Sequence, residues 1–332
     1  MDNKTIDVLM ATYNGEKYVA EQIESILNQT YSAIRLIISD DASTDGTRQI
    51  LQEYAEKDKR IQLFFQENNL GYIGNFEFLL TKVENEIFML CDQDDVWKED
   101  KIQKTYEKCQ IEQADLVFTD LEVVDEHLKT IYPSFNDYML LTRKIKKYSS
   151  DYRMQYLYNC VTGCTLLSKK KYIPDMLPLP KESKYVVHDL WIALTVMLKG
   201  GKVAYLDEKT IYYRQHGNNQ IGTEKTSHKF KKLDEVRNLF LQVKIELFTA
   251  YVNYPKNFPE FLQKQNQEAL AYFENLKEVK YFNLKGWGIF HRLYKTETVK
   301  YYLLQFCIMN LPAIARVLFA IRYRVLKALR KR

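Results

Sequence analysis

Glycine and proline are scarce, 11 and 7 in 332 residues, and no low-complexity tract or internal repeat occurs, so a disordered or repetitive chain is not expected. The five cysteines, at 91, 109, 160, 164 and 307, include no C-x-x-C pair. The C-x-x-x-C of Cys160 and Cys164 has no matching half, so neither a zinc site nor a disulfide framework is indicated, and a reducing, cytoplasmic setting is expected. No stretch of 18 uncharged apolar residues is present, and the first residues, "MDNKTIDVLMATYNGEKY", contain a strand-length apolar run rather than a signal-peptide core. G-x-G-x-x-G and G-x-x-x-x-G-K-[ST] are both missing, which argues against a dinucleotide fold or a P-loop. What remains is a globular chain, 46% hydrophobic, long enough to bury one large core or two modest ones.

Short β-branched and apolar runs recur through the first two thirds: "TIDVLMATY", "IRLIISDD", "IQLFFQ", "EIFMLCD", "ADLVFTDLEVV", "GCTLLS" and "KVAYLD". Helix-like segments lie between the early ones. In "EKYVAEQIESILNQT", Val19, Ile23, Ile26 and Leu27 share a face; "STDGTRQILQEYAEKD" opens on Ser and Thr cap candidates; "GNFEFLLTKV" and "KEDKIQKTYEKCQ" follow. Strand and helix in alternation predict right-handed crossovers and a mostly parallel sheet flanked by helices. Ligands of such sheets sit beyond the carboxyl ends of the strands, where strand order reverses. From about Ser227 the pattern changes to helical stretches rich in Lys, Arg, Tyr and Phe, giving an expected division into residues 1–222 and a helical, basic region 223–332.

Polar clusters fall where that rule places a site. After the fourth run comes "DQDDVW", with three carboxylates in four positions. On an extended chain Asp92 and Asp94 would project to one side. Two carboxylates on one side suit Mg²⁺ or Mn²⁺, whose remaining positions take water and phosphate oxygens, so a diphosphate is implied. The alternative is a helix N-cap, with Asp95 starting "VWKEDKIQK". After the second run, "DDASTDGT" offers Asp40 or Asp41 as acceptor for the imide N–H of a pyrimidine base. Asp45 and Gly46 there are read as turn chemistry. After the first run, "ATYNGEKY" offers Thr12, Tyr13 and Asn14 at a strand-to-helix turn.

Taken together, "ATYNGEKYVAEQIESILNQTY", "DDASTDGT" and "DQDDVW" resemble family 2 of the inverting glycosyltransferases, which have the GT-A fold and use nucleotide-diphosphate sugars; the resemblance spans residues 5 to about 220. "VTGCT", "HDLW" and "YRQH" make it most similar to bacterial rhamnosyltransferases that build cell-wall polysaccharides from dTDP-rhamnose. The resemblance implies that Thr12, Asn14 and Asp41, with Asp40, line the nucleotide site, and that Asp92 and Asp94 form the D-x-D that meets the metal and the ribose or diphosphate. "NNLGYIGN" resembles the family's N-x-G element, which brings Asn69 and Gly71 to the donor, or else it is a loop leading to a cap at Asn75. The late acidic pair of the family reads "VVHDLW" here, making Asp189 the implied catalytic base, with His188 in place of the usual acid. Asp189 is also a candidate N-cap. Thr162 and Gly163 of "VTGCT", with His188 and Trp191, are expected on the acceptor side. Arg214 and His216 of "YRQHGNN" are candidates to neutralise the diphosphate, His216 also as a metal ligand or, alternatively, part of a surface loop. The Q-x-x-R-W of the family's processive synthases is absent, so one or a few sugars per encounter are expected.

Net charge is only +5 but uneven. "PAIARVLFAIRYRVLKALRKR" carries Arg316, Arg322, Arg324, Lys327, Arg330, Lys331 and Arg332 with no acidic residue. As a helix begun by Pro312 it gathers Ile314, Val317, Leu318, Ile321, Val325, Ala328 and Leu329 on one side. Such a helix lies in an anionic membrane surface or packs on the main domain; no nucleic-acid recognition motif accompanies it. The expected partners are dTDP-rhamnose, a lipid-linked saccharide and the inner leaflet of the cell membrane. The alternatives are a UDP-hexose or UDP-hexosamine donor with a capsule or O-antigen acceptor, or a silent nucleotide-sugar-binding scaffold. A scaffold would have lost the D-x-D or the late aspartate, and both are present.

Overall fold

A computed structural model describes residues 4–139, 141–183, 185–217, 233–254, 257–279, 283, 287–294 and 299–315. Contacts divide the chain into two compact units, one of Met1–Lys181 with Val187–Gly222, the other of Glu182–Val186 with Thr223–Arg332.

The first unit opens as the apolar runs predict: β1 (Ile6–Thr12), α1 (Val19–Leu27), β2 (Ile34–Asp40), α2 (Thr47–Lys57), β3 (Ile61–Phe65), α3 (Gly71–Leu80) and β4 (Ile87–Asp92). It continues with β5 (Val96–Trp97), α4 (Lys101–Glu112), β6 (Leu116–Val124), β7 (Thr130–Tyr132) and three short helices, α5 (Phe135–Tyr138), α6 (Thr142–Tyr148) and α7 (Tyr152–Leu157). Then come β8 (Leu167–Lys169), α8 (Ile173–Met176), α9 (His188–Leu198) and β9 (Val203–Arg214). The nine-stranded sheet has the order β3-β2-β1-β4-β8-β6-β9-β5, with β7 on β6. Strands β1 to β4, β6 and β9 run one way, and β5, β7 and β8 run against them. This is the mixed, helix-flanked sheet of the GT-A fold.

Side chains of β1, β2 and β4 are buried almost throughout, which is why these strands read as continuous apolar runs rather than alternating ones. The chain steps from β1 outward to β2 and β3, then returns to lay β4 on the other side of β1. The reversal leaves a crevice beyond the carboxyl ends of β1 and β4, where Ala11 pairs with Asp92 and, on the other flank, Thr12 with Asp40.

Three local expectations are corrected. Helix α3 starts at Gly71, so Asn75 is not a cap; it is buried inside the helix and its Nδ2 donates to the Ser39 carbonyl (2.8 Å). Helix α4 starts at Lys101, and the residues after Asp95 pair with β9 as β5 instead of extending the helix backward. Neither Ser43 nor Thr44 caps α2; Asp45 turns the chain there, its Oδ1 accepting from Thr47 N (3.0 Å).

From Leu233 on, the described residues of the second unit are mainly helical: α10 (Leu233–Asn253), α11 (Glu260–Lys277), α12 (Trp287–Leu293) and α13 (Val299–Asn310). Phe248, Tyr251, Phe258 and Phe273 form its aromatic core, and Tyr272 Oη donates to Asn310 Oδ1 (2.7 Å). Among the described residues no helix is long and apolar enough to cross a membrane. The basic residues from Arg316 to Arg332 lie outside the described residues, so the expected amphipathic tail is not among the helices above.

Candidate active site

The end of β1 is tied to the loop after β2 by side chains of both. Thr12 Oγ1 donates to Asp40 Oδ1 (3.2 Å), and Asp40 Oδ2 also accepts from Ser43 N (3.0 Å) and Arg48 Nε (2.8 Å). Asp40 is therefore fully buried and braces the loop. Its neighbour Asp41 lies on the cleft wall, its Oδ1 accepting from Leu70 N (2.7 Å). Burial pushes the Asp41 carboxyl up, against the backbone N–H groups of Leu70 and Gly71. Asn69 Nδ2 donates to the Asp41 carbonyl (3.0 Å) while its Oδ1 accepts from Gly71 N (3.0 Å). Gly71 stands at φ +71° with open space around it, a conformation that side chains disfavour. Asn14, at φ 47°, stitches the two loops: its N donates to Ser43 Oγ (2.9 Å) and its Oδ1 accepts from Thr44 N (2.9 Å).

The "DQDD" carboxylates do not alternate along an extended strand. Strand β4 stops at Asp92, and Gln93 and Asp94 form a turn, which still brings both Asp92 and Asp94 to the cleft. Gln93 makes the turn fit: its Oε1 accepts from Tyr13 N (2.8 Å) and its Nε2 donates to Tyr13 O (3.0 Å), like a paired strand residue. A Cβ on Gly15 would lie 2.2 Å from that amide oxygen, so glycine is required there for close approach. Asp94 Oδ2 is 2.9 Å from His216 Nε2. Asp95 is buried behind the turn, where its acceptor atom and those of Asp92 and Cys164 lie within 4.8 Å of one another. Burial, reinforced by the neighbouring carboxylates, holds both Asp92 and Asp95 above the usual carboxylate range. Below them Lys101 is fully buried over the Trp97 ring (4.5 Å), its Nζ donating to the Cys164 carbonyl (3.0 Å). Burial lowers its pKa to about 8.

His216 stacks on Tyr18 (4.7 Å between centroids), and the Arg214 guanidinium lies over the same ring (4.6 Å). Arg214 donates to the carbonyls of Asp94 (2.9 Å) and Glu126 (2.8 Å) and pairs with Glu21. It is 3% exposed and holds the turn from behind rather than lining the cleft.

Asp189 sits in the first turn of α9. Its Oδ1 accepts from Asn159 Nδ2 (2.7 Å) and Leu190 N (2.6 Å), and its Oδ2 from Gly163 N (3.0 Å). The adjacent His188 stacks on Phe76 (4.2 Å) and meets Tyr72 edge-on (5.9 Å). Burial depresses its pKa, and neither ring nitrogen has a partner among the described residues. A Cβ on Gly163 would lie 2.9 Å from His188 Nε2. Trp191, by contrast, is in the core, its Nε1 donating to the Met176 carbonyl (2.9 Å).

A cleft of about 900 Å³ thus gathers Thr12, Tyr13, Asn14, Asp41, Asn69, Gly71, Asp92, Asp94, Thr162, Gly163, His188, Asp189 and His216, but not Asp40, Arg214 or Trp191. Tyr18, Tyr72, Phe76, Gln93 and Asn159 line it too and were not singled out in the sequence. Gln93 carried a signal as the middle residue of D-x-D; Asn159, 30 positions from Asp189, carried none.

The sequence profile described as "Glycosyl transferase family 2" matches residues 7–173. A dTDP-rhamnosyl transferase of Shigella flexneri, RfbG, is 32% identical over 241 residues, 69% of this chain and 79% of that protein. Among solved structures, a mannosyltransferase of Pyrobaculum calidifontis in complex with GDP-Man and Mn²⁺ shares the fold at 15% identity (TM-score 0.55, 98% of this chain and 82% of that one). S. aureus TarS 1-349 in complex with UDP-GlcNAc does so at 15% identity (TM-score 0.54, 92% and 87%). On the family match and the extent of the bacterial relative, this chain belongs to glycosyl transferase family 2.

Proposed function

We propose that this family 2 glycosyltransferase is an inverting, metal-dependent enzyme that moves L-rhamnose from dTDP-rhamnose to a lipid-linked cell-wall saccharide. The observation that carries the reading is the cleft itself, which Asp92, Asp94, His216 and Asp189 all line. Thr12, Tyr13, Asn14, Asp41, Asn69 and Gly71 bind the nucleotide, with Asp40 and Arg214 supporting them from beneath. Asp94, Asp92 and His216 would hold Mg²⁺ or Mn²⁺: Asp94 Oδ2 and His216 Nε2 meet at 2.9 Å and Asp92 lines the same cleft, while burial beside like charge raises the Asp92 carboxyl, a cost that a cation would offset. When bound, the ion supplies neutralisation of the departing diphosphate. Asp189 accepts the proton of the acceptor hydroxyl as that oxygen attacks the anomeric carbon from the face opposite the leaving group. Thr162, Gly163, His188 and the aromatic rings of Tyr72 and Phe76 shape the acceptor side, with Trp191 packing the helix that carries Asp189.

The rhamnosyl donor rests on the Shigella relative. A UDP-hexose or UDP-hexosamine with a capsule or O-antigen acceptor is the second reading, favoured by the UDP-GlcNAc complex of TarS. Residues 1–222 make up the transferase domain in this account, and the helical region 223–332, with its basic tail, brings it to the inner face of the cell membrane. A donor screen tests the assignment. Turnover of dTDP-rhamnose, UDP-glucose, UDP-galactose and UDP-GlcNAc is followed with Mg²⁺ or Mn²⁺; dTDP-rhamnose is expected to turn over fastest. Preference for a UDP-sugar moves the chain to the second reading, and no turnover of any donor overturns both.

A further inference from the structure

The two oxygens of the proposed base are not equivalent. A carboxylate offers about four acceptor positions. Asp189 Oδ1 already takes two donors, Asn159 Nδ2 at 2.7 Å and Leu190 N at 2.6 Å, whereas Oδ2 takes one, Gly163 N at 3.0 Å. The open position is therefore on Oδ2. A Cβ at position 163 would stand in van der Waals contact with Oδ2 (3.6 Å), so glycine leaves more room beside it.

What turns Asn159 toward Oδ1 can be traced to a backbone group. Gln155, in α7, is fully buried, and its Oε1 accepts from Cys160 N (3.0 Å). A backbone N–H can only donate, so that end of the Gln155 amide is oxygen and its other end is nitrogen. The nitrogen donates to Asn159 Oδ1 (3.0 Å), leaving Asn159 Nδ2 to face Asp189. An amide free to rotate could point its own oxygen at the carboxylate, which repels it. The backbone of Cys160 thus sets the sense of every amide up to the cleft.

We infer that Asn159, fixed by Gln155, is a positioning residue that occupies Asp189 Oδ1 and directs the acceptor proton to Oδ2. The inference rests on the reading of Asp189 as the base. In the step, the acceptor O–H bond breaks and its proton goes to Oδ2. The acceptor oxygen bonds to the anomeric carbon, and the bond from that carbon to the diphosphate breaks, its electron pair leaving with the diphosphate.

The test is steady-state turnover of dTDP-rhamnose with water as acceptor, alongside calorimetric binding of dTDP. Asn159→Ala, at an exposed position and so safe for folding, is expected to lower kcat about 10- to 100-fold while leaving the donor KM and the dTDP Kd within about twofold. Gln155→Glu keeps the bond to Cys160 N but presents an acceptor to Asn159, turning its amide round; the same loss is expected although Gln155 does not line the cleft. Wild-type kcat in Asn159→Ala, with kcat lost in Asp189→Asn, overturns the inference and leaves the base in place. Wild-type kcat in Asp189→Asn overturns the base itself. A parallel fall in kcat and dTDP affinity in Asn159→Ala marks a merely structural role and also overturns the inference.

Discussion

One set of cleft residues, proposed to bind the nucleotide, is built on strand ends: Thr12, Asp41 and Asp92 stand at or within one residue of the last residue of β1, β2 and β4. In the second set, around Asp189, the polar atoms that meet come from α9, from the 3-10 turn Gly163–Thr165 and from the segment after α7. The first set is placed by backbone pairing, because parallel, buried strands fix where each chain emerges. The second depends on side-chain hydrogen bonds spanning 26 and 30 residues of sequence. Substitutions in the first set should change binding of nucleotide and metal, and those in the second should change turnover at constant nucleotide affinity.

The largest separation is expected for Asp189→Asn, which should cut turnover about 1,000-fold and leave dTDP binding unchanged in calorimetry. Weakened dTDP binding in that variant would merge the two sets into one. Gly163→Ala places a methyl group 2.9 Å from His188 Nε2 and 3.4 Å from Asp189 Cβ. Turnover should fall about 100-fold, again without loss of nucleotide affinity. In Gln93→Ala the pair of bonds to Tyr13 is lost, and the effect should reverse: dTDP affinity drops about tenfold, with kcat at saturating donor nearly preserved.

The smallest effect lies outside the cleft. Asp115, just before β6, is paired with Lys171 (2.7 Å) and Lys169 (3.2 Å). Burial alone would raise its pKa; those lysines and the Lys202 N–H outweigh it and hold the carboxyl down at about 2. A carboxylate depressed in the folded state contributes stability above its unfolded pKa of about 4, and loses it as pH falls toward 2. Asp115→Asn should therefore cost about 2 kcal/mol at neutral pH, narrowing between about pH 4 and 2 in denaturant unfolding. Donor turnover at pH 7 should not change.

The same contrast explains what the sequence reveals. Seven apolar runs correspond to β1, β2, β3, β4, β6, β8 and β9, most plainly in β1, β2 and β4, where burial on both faces calls for an unbroken apolar stretch. The two-residue β5 and the largely exposed β7 have none to show. Strand ends name Asp40 and Asp41 together. Only the fold separates the aspartate that braces the loop from the one that faces the cleft. Arg214 and Trp191 stand beside cleft residues in sequence, yet their side chains are buried behind the site. Asn159 and Gln155 fall in a segment with no strand, helix or charge pattern to mark them. Their place follows from where α9 returns to the sheet.

The most direct measurement is calorimetric titration of dTDP and UDP into the wild type and Asp94→Ala, with and without Mn²⁺. The account predicts dTDP binding that Mn²⁺ strengthens by about tenfold or more, about 1.4 kcal/mol, and loss of that metal dependence in Asp94→Ala. Binding of neither nucleotide in the presence of Mn²⁺, or an Asp94→Ala variant with the wild-type metal dependence, would contradict the assignment of the "DQDD" turn to metal and diphosphate.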